Sequence, residues 1–194
     1  FNFNAYYFIL LKQWKKSLLM EEVRYYFIII GISTAIIFFN ILNLFSNAFD
    51  ALRHATFQVG SIITTTGFSS VDFDIWPETS KIILVLLMFI GACSGSTGGG
   101  IKVSRIMILI KTVVKELNSY IHPRSVRKIK IDGKPVEHDV VRATNVYFIT
   151  FMVIFAFSVF AISFENIGLV TSFTAVTATI NNIGPGLELV GPTQ

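Results

Sequence analysis

Tyr25 to Ser46 (YYFIIIGISTAIIFFNILNLFS) runs for 22 residues without a charged side chain. About 20 apolar residues in a helix cross a ~30 Å hydrocarbon core. Within lipid only helices or closed barrels satisfy every backbone hydrogen-bonding group. Ala143 to Ser163 (ATNVYFITFMVIFAFSVFAIS) is a second run of the same kind. Composition agrees: 53% of the 194 residues are hydrophobic and 14% charged, against about 25% charged in a soluble domain. This excludes a disordered chain or a charged nucleic-acid-coating tail. Cys93 is the only cysteine, which excludes a disulfide scaffold. No cationic stretch precedes the first apolar run, so no signal peptide is expected. The first residue is Phe1, not Met, so a fragment or processed form is expected. What remains is a multi-span membrane protein or part of one.

The charges set a topology. Of 16 Lys and Arg, four fall in the first 24 residues and ten between Lys102 and Arg142. Basic residues stay on the cytoplasmic side, so both clusters are expected inside, and the stretch between them crosses the membrane an even number of times. Asp50, Asp72, Asp74 and Glu78 lie midway and suit the outer face. The basic loop 118–141 holds Ile129-Lys130-Ile131-Asp132-Gly133-Lys134-Pro135-Val136, an alternating pattern around Asp-Gly that predicts a hairpin. Its basic surface suits an acidic partner, anionic lipid or a plain topology anchor.

Residues 80–115 form a third apolar stretch interrupted by Ser94-Gly95-Ser96-Thr97-Gly98-Gly99-Gly100. One continuous helix of this length would reach about 54 Å at ~1.5 Å per residue. Three successive glycines cost a helix roughly 1 kcal/mol each. The stretch therefore reads as a broken span with an unwound middle, tolerated at membrane depth only where protein buries it or water reaches it. Close packing of small residues is a competing explanation. A phosphate-binding loop is not, because Ile101 stands where its lysine belongs. Segments 50–63 and 166–180 are too short or too polar to cross, and read as half-helices entering from the outer face.

Shifting the chain by 117 residues lays Gly67 on Gly184, Tyr25 on Arg142 and Ala51 on Gly168. The order and spacing of elements then agree, the signature of an internal repeat. Each unit comprises a span, a half-helix, a polar loop closed by glycine, and a broken second span. The expected units are 25–117 (span 25–46, half-helix 50–63, loop 64–68, broken span 80–115) and 142–194 (span 143–163, half-helix 166–180, loop 181–186), after a cytoplasmic juxtamembrane segment 1–24. The second unit stops at Gln194, before its own second span. Thr64-Thr65-Thr66-Gly67 and Asn181-Asn182-Ile183-Gly184 each offer a run of carbonyls. Rings of such carbonyls replace the hydration shell of a monovalent cation, and the half-helix aims its partly negative C-terminal end at the same place. A simple turn is the competing explanation for either loop alone.

ITTTGFSS (62–69), GACSGSTGGGIKVSR (91–105), HPRSVRKIKIDGKPV (122–136) and NNIGPGLELVGPT (181–193) resemble the Trk/Ktr/HKT superfamily of potassium transporters, and most of all its bacterial TrkH branch. The resemblance covers nearly the whole chain. It implies an all-α membrane protein made of potassium-channel-like pore units, here parts of the third and fourth of four around a pseudo-fourfold pore, with the first two and the last span missing. It also implies that Gly67 and Gly184 are the third and fourth filter glycines, and that Thr65, Thr66, Asn182 and Ile183 line the potassium path with their carbonyls. The unwound middle of the broken span, with Gly95, Gly98, Gly99 and Gly100, would be an intramembrane gate. The implied partners are a cytosolic nucleotide-binding regulatory subunit (TrkA-like), a second copy of the full-length protein, and membrane lipid.

The expectation is potassium uptake across a bacterial inner membrane, with K+ as cargo, no organic cofactor and no nucleic-acid partner. No nucleophile–base pair or paired carboxylates point to an enzyme. His54, His122 and His138 have no metal-ligand spacing. Glu165 and Glu188 could form a modest acidic outer rim, and Tyr25 and Trp76 suit an interfacial aromatic belt. The rivals are a secondary transporter of another small solute or cation, with discontinuous helices around a midplane site, and a non-conducting scaffold whose glycines serve only packing.

Overall fold

The computed structural model describes residues 3–122 and 128–193, so Arg124 and Arg127 of the basic loop lie outside the described residues. Two short helices, α1 (Phe3–Leu10) and α2 (Trp14–Leu19), precede α3 (Glu21–Ile41), which a 3-10 turn extends over Leu42–Leu44. Then come α4 (Ala48–Ile63), α5 (Glu78–Phe89), α6 (Val103–Ile121), α7 (His138–Ser163) and α8 (Leu169–Ile180). Among the described residues, α3 with its 3-10 extension and α7 are long and apolar enough to cross a membrane. Both helices begin earlier than the uncharged runs, because Glu21, Glu22 and His138–Arg142 carry the helical backbone out past the apolar stretch. Glu21 and Glu22 also place negative charge at the positive end of the α3 dipole. Large apolar side chains face outward on both, among them Phe27, Ile32 and Phe39 on α3 and Val153, Phe157 and Phe160 on α7. A soluble helix would hide that stripe; here it meets lipid or further protein.

The core forms around the half-helix α4. Ala51, Ala55, Val59, Ile62 and Ile63 are fully buried, against Ile37 and Ile41 of α3 and Leu84 and Met88 of α5. Phe73 and Trp76 close this core from the loop after α4. Trp76 is only 2% exposed and so does not serve an interfacial belt: the loop folds back over α4 and spends the indole on packing. Tyr25, by contrast, is exposed. Edge-to-face rings join the two halves of the chain, Phe89 of α5 lying 5.3 Å from Phe155 of α7, which lies 5.2 Å from Phe173 of α8.

The third apolar stretch is broken as expected. Between α5 and α6 the chain leaves the helix and returns through a neck in which Gly91 N–H donates to Ile101 O (2.9 Å) and Ile101 N–H to Phe89 O (3.0 Å). On the basic side, β1 (Lys130–Ile131) pairs antiparallel with β2 (Lys134–Pro135). The turn places Asp132 at φ 50° and Gly133 at φ 76°, the two left-handed positions that make Asp-Gly a hairpin signal. The hairpin is docked. Asp132 Oδ1 accepts the Glu21 amide at 2.7 Å, and Lys111 of α6 donates to Lys130 O at 2.6 Å while pairing with the Glu21 carboxylate.

Candidate functional site

α4 and α8 end in the same way, residue for residue. Thr64, Thr65 and Thr66 N–H donate to Gly60, Ile62 and Ser61 O at 3.1, 2.9 and 2.8 Å. Asn181, Asn182 and Ile183 N–H donate to Thr177, Thr179 and Ala178 O at 3.2, 3.1 and 2.8 Å. Each donor and acceptor of the second set lies 117 residues beyond its counterpart. The pattern is a Schellman cap, whose left-handed residue is most often glycine. Here Thr65 (φ 55°) and Asn182 (φ 53°) take that place, followed two residues on by Gly67 (φ 79°) and Gly184 (φ 116°). Asparagine tolerates such a φ, but a β-branched threonine there is an outlier, at a cost of order 1–3 kcal/mol.

These caps turn successive N–H groups back into the helices. Among the described residues, the carbonyls of Thr65, Thr66, Asn182 and Ile183 accept no hydrogen bond. Backbone carbonyls without a protein partner need water or another partner for their lone pairs, and the C-terminal ends of α4 and α8 add partial negative charge beside them. The two loops also touch. A β-carbon on Gly67 would lie 1.9 Å from Ile183 O, so only glycine lets the loops approach this closely. Beyond them opens a cavity of about 620 Å3 lined by Gly67, Phe68, Gly184, Pro185 and Gly191, among others, with no charged side chain. Ser61 Oγ anchors the first loop through Phe68 O (2.5 Å). His54 Nδ1 lies 2.8 Å from Ser70 Oγ, and its ring stacks on Phe45, so this histidine braces α4 against the chain beyond the loop. At the second loop, Thr171 Oγ1 of α8 donates to Glu188 Oε2 at 2.7 Å.

The glycine-rich stretch lies against both loops. Gly99 N–H donates to Thr65 Oγ1 at 3.0 Å. A β-carbon on Gly98 would lie 3.2 Å from Thr65 Oγ1 and 3.4 Å from Thr64 O, and one on Gly99 1.9 Å from Asn181 O. Gly100 packs on Gly91 in the neck, whereas Gly95 lies apart, its nearest neighbour the Phe3 ring of α1. The structure thus brings Gly98 and Gly99 together with both loops and leaves Gly95 outside that contact.

Two charged side chains brace this stretch. Glu22 of α3 is 5% exposed, and its Oε1 accepts Ser94 N–H at 2.6 Å and Ser104 N–H at 3.2 Å. It therefore ties the irregular segment at Ser94 to the first turn of α6 at Ser104. Lys102 folds back so that its Nζ donates to Ser96 O (3.1 Å), Ser96 Oγ (3.2 Å) and Gly98 O. Arg105, one turn on, stacks over Tyr147 of α7 at 3.9 Å. Sequence reasoning missed the clamp. The only signal was two glutamates beside an apolar span, and an ionisable residue at a span is a functional candidate by default.

A model of the family described as TrkH, cation transport protein, matches residues 12–190. Over 164 residues the chain is 36% identical to the Trk system potassium uptake protein TrkH of Escherichia coli K12, covering 84% of this chain and 34% of that one. It is 40% identical over 136 residues to TrkH of Halomonas elongata, covering 70% of this chain and 28% of that one. The crystal structure of the potassium transporter TrkH from Vibrio parahaemolyticus superposes with a TM-score of 0.88 at 33% identity, covering 98% of this chain and 42% of that chain. The chain spans about a third of the length of the curated relatives it matches. With an all-α membrane architecture shared over almost its full length, the chain belongs to the TrkH family of cation transport proteins.

Proposed function

We propose that this chain forms part of the pore-forming subunit of a potassium uptake system in a bacterial inner membrane. Thr65, Thr66 and Gly67 with Asn182, Ile183 and Gly184 supply two walls of a backbone-carbonyl selectivity filter. Gly95, Gly98, Gly99 and Gly100 belong to a loop that closes the path on its inner side. Potassium is the transported ion, and the remaining walls come from units outside this chain. One observation carries the reading: two loops 117 residues apart share their hydrogen bonds and left-handed turns, and meet where Gly67 abuts the Ile183 carbonyl. The role of the relatives in potassium uptake points the same way.

The docked hairpin presents Lys128, Lys130 and Lys134 on the inner side and suits contact with a cytosolic nucleotide-binding regulatory subunit. The outward apolar faces of α3 and α7 suit lipid and a second copy of the full-length protein.

In the intact protein, Gly67→Ser brings a side chain against Ile183 O and widens or tilts the filter. Potassium-over-sodium selection, read as rubidium and sodium flux into proteoliposomes, should fall about tenfold, equal to ~1.4 kcal/mol of lost discrimination. Selectivity that stays at the parent value contradicts the filter assignment. Removal of residues 95–100 should raise basal flux, and flux that holds or falls contradicts the gate.

A further inference from the structure

We propose that the Lys102 ammonium is a tethered cation, seated in a cage of loop oxygens that a potassium ion takes over when the lysine withdraws. This rests on the gate assignment above and goes further: it names what holds the loop shut and which ion competes for the seat.

The cage is defined by three oxygens, Ser96 O, Ser96 Oγ and Gly98 O. An ammonium has three donors and no acceptor, so the set matches it in number. Ser96 Oγ spends its own proton on Cys93 O at 2.6 Å, which leaves its lone pairs for the cation. All three oxygens are neutral. An ammonium held by neutral oxygens is in the environment a dehydrated potassium ion needs, since carbonyl and hydroxyl oxygens replace water for either. Lys111 of α6, by contrast, pairs directly with the Glu21 carboxylate of α3.

The seat also stands in the right place. Gly98, whose carbonyl closes the cage, lies against Thr64 and Thr65 of the first filter loop, and Gly99 bonds the Thr65 hydroxyl. The ammonium is therefore joined to Thr65 of the first proposed filter loop through the Gly98–Gly99 peptide unit. The other charges nearby bond to other groups, Glu22 to the Ser94 and Ser104 amides and Arg105 to the Tyr147 ring, and act on the ammonium only through space. With Lys102 seated, Ser96 and Gly98 are tethered through the lysine side chain to the start of α6. When potassium on the inner side takes the seat, it bridges the same oxygens but is not part of the helix, so the tether to α6 is lost and the loop is free to swing aside.

The test is rubidium flux through the full-length protein in proteoliposomes, comparing Lys102→Gln, which keeps a hydrogen-bond donor without the charge, with Lys102→Met, which keeps neither. Both should raise basal flux at least about threefold, the shift expected when a closed state loses its main tie, with potassium-over-sodium selectivity unchanged. A Gln variant at the parent level, with only Met raised, makes Lys102 a hydrogen-bonded brace and overturns the proposal. The unmodified protein gives a second readout: basal flux should climb as inner-side potassium is raised at fixed driving force, and flux indifferent to inner potassium overturns the proposal as well. If removal of residues 95–100 raises flux and neither Lys102 variant does, the tethered cation fails and the gate stands. If none of the three raises flux, the gate assignment fails too.

Discussion

The backbone amide of Gly99 donates a 3.0 Å hydrogen bond to the hydroxyl of Thr65, so the glycine-rich loop hangs from the same residue that takes the left-handed turn after α4. Thr65 is therefore strained and useful at once. Thr65→Gly relieves the strain by about 1–2 kcal/mol and loses a hydrogen bond worth about 1 kcal/mol. The two nearly offset, so thermal stability in detergent should move little while basal flux rises. Thr65→Ser keeps the acceptor and should hold flux at the parent level. Parent-level flux in the glycine variant would dissociate this bond from gating.

Gly99→Ala drives a β-carbon to within 1.9 Å of Asn181 O. A backbone oxygen cannot give way as a flexible side chain does, so the loop must shift away from the end of α8. Stability should drop by about 1–3 kcal/mol, as overpacking does, with higher basal flux. Gly31 on α3 is the matched control, because nothing lies within 4 Å of its β-carbon position. Gly31→Ala should leave flux alone and stabilise the helix by about 0.5–1 kcal/mol, read as the shift in melting temperature of the two variants.

Glu22 joins the first span to the irregular segment at Ser94 and to the first turn of α6 at Ser104. Hydrogen bonds to a charged acceptor contribute about 1.5–3 kcal/mol. Glu22→Ala should cost that much and loosen the loop, whereas Glu22→Gln keeps an Oε1 acceptor and should recover most of the loss. Equal melting temperatures for the Ala variant and the parent would show that the clamp contributes nothing.

Asp132 accepts the Glu21 amide from the β1–β2 hairpin, and Glu21 precedes Glu22 in the first turn of α3. Asp132→Ala should undock the hairpin and expose residues 128–136 to protease, while leaving ion selectivity intact. Limited proteolysis that matches the parent in rate and product would argue against docking.

Much of this fold was legible in the sequence because membrane insertion writes itself locally. An uncharged run of 22 residues has few alternatives to a crossing helix, three glycines break one, and Asp-Gly between alternating residues turns a hairpin. The bonds that organise the site were not legible. Glu22 and Ser94 are 72 residues apart, Thr65 and Gly99 34 apart, and Gly67 meets Ile183 across 116 residues (183 minus 67). Neither hydropathy nor local propensity records such contacts. Trp76 was misplaced for the same reason: its burial depends on how the loop after α4 folds back. The helices α1 and α2 went unread because Lys12, Lys15 and Lys16 marked the segment by charge rather than by period.

The central claim is that the Thr65, Thr66, Asn182 and Ile183 carbonyls face a permeating cation. Anomalous scattering from thallium in crystals of the intact protein tests it most directly. The account predicts peaks on the axis between these two loops, displaced by excess potassium and retained in Lys102→Gln. Thallium bound elsewhere, with no peak between the loops, would contradict it.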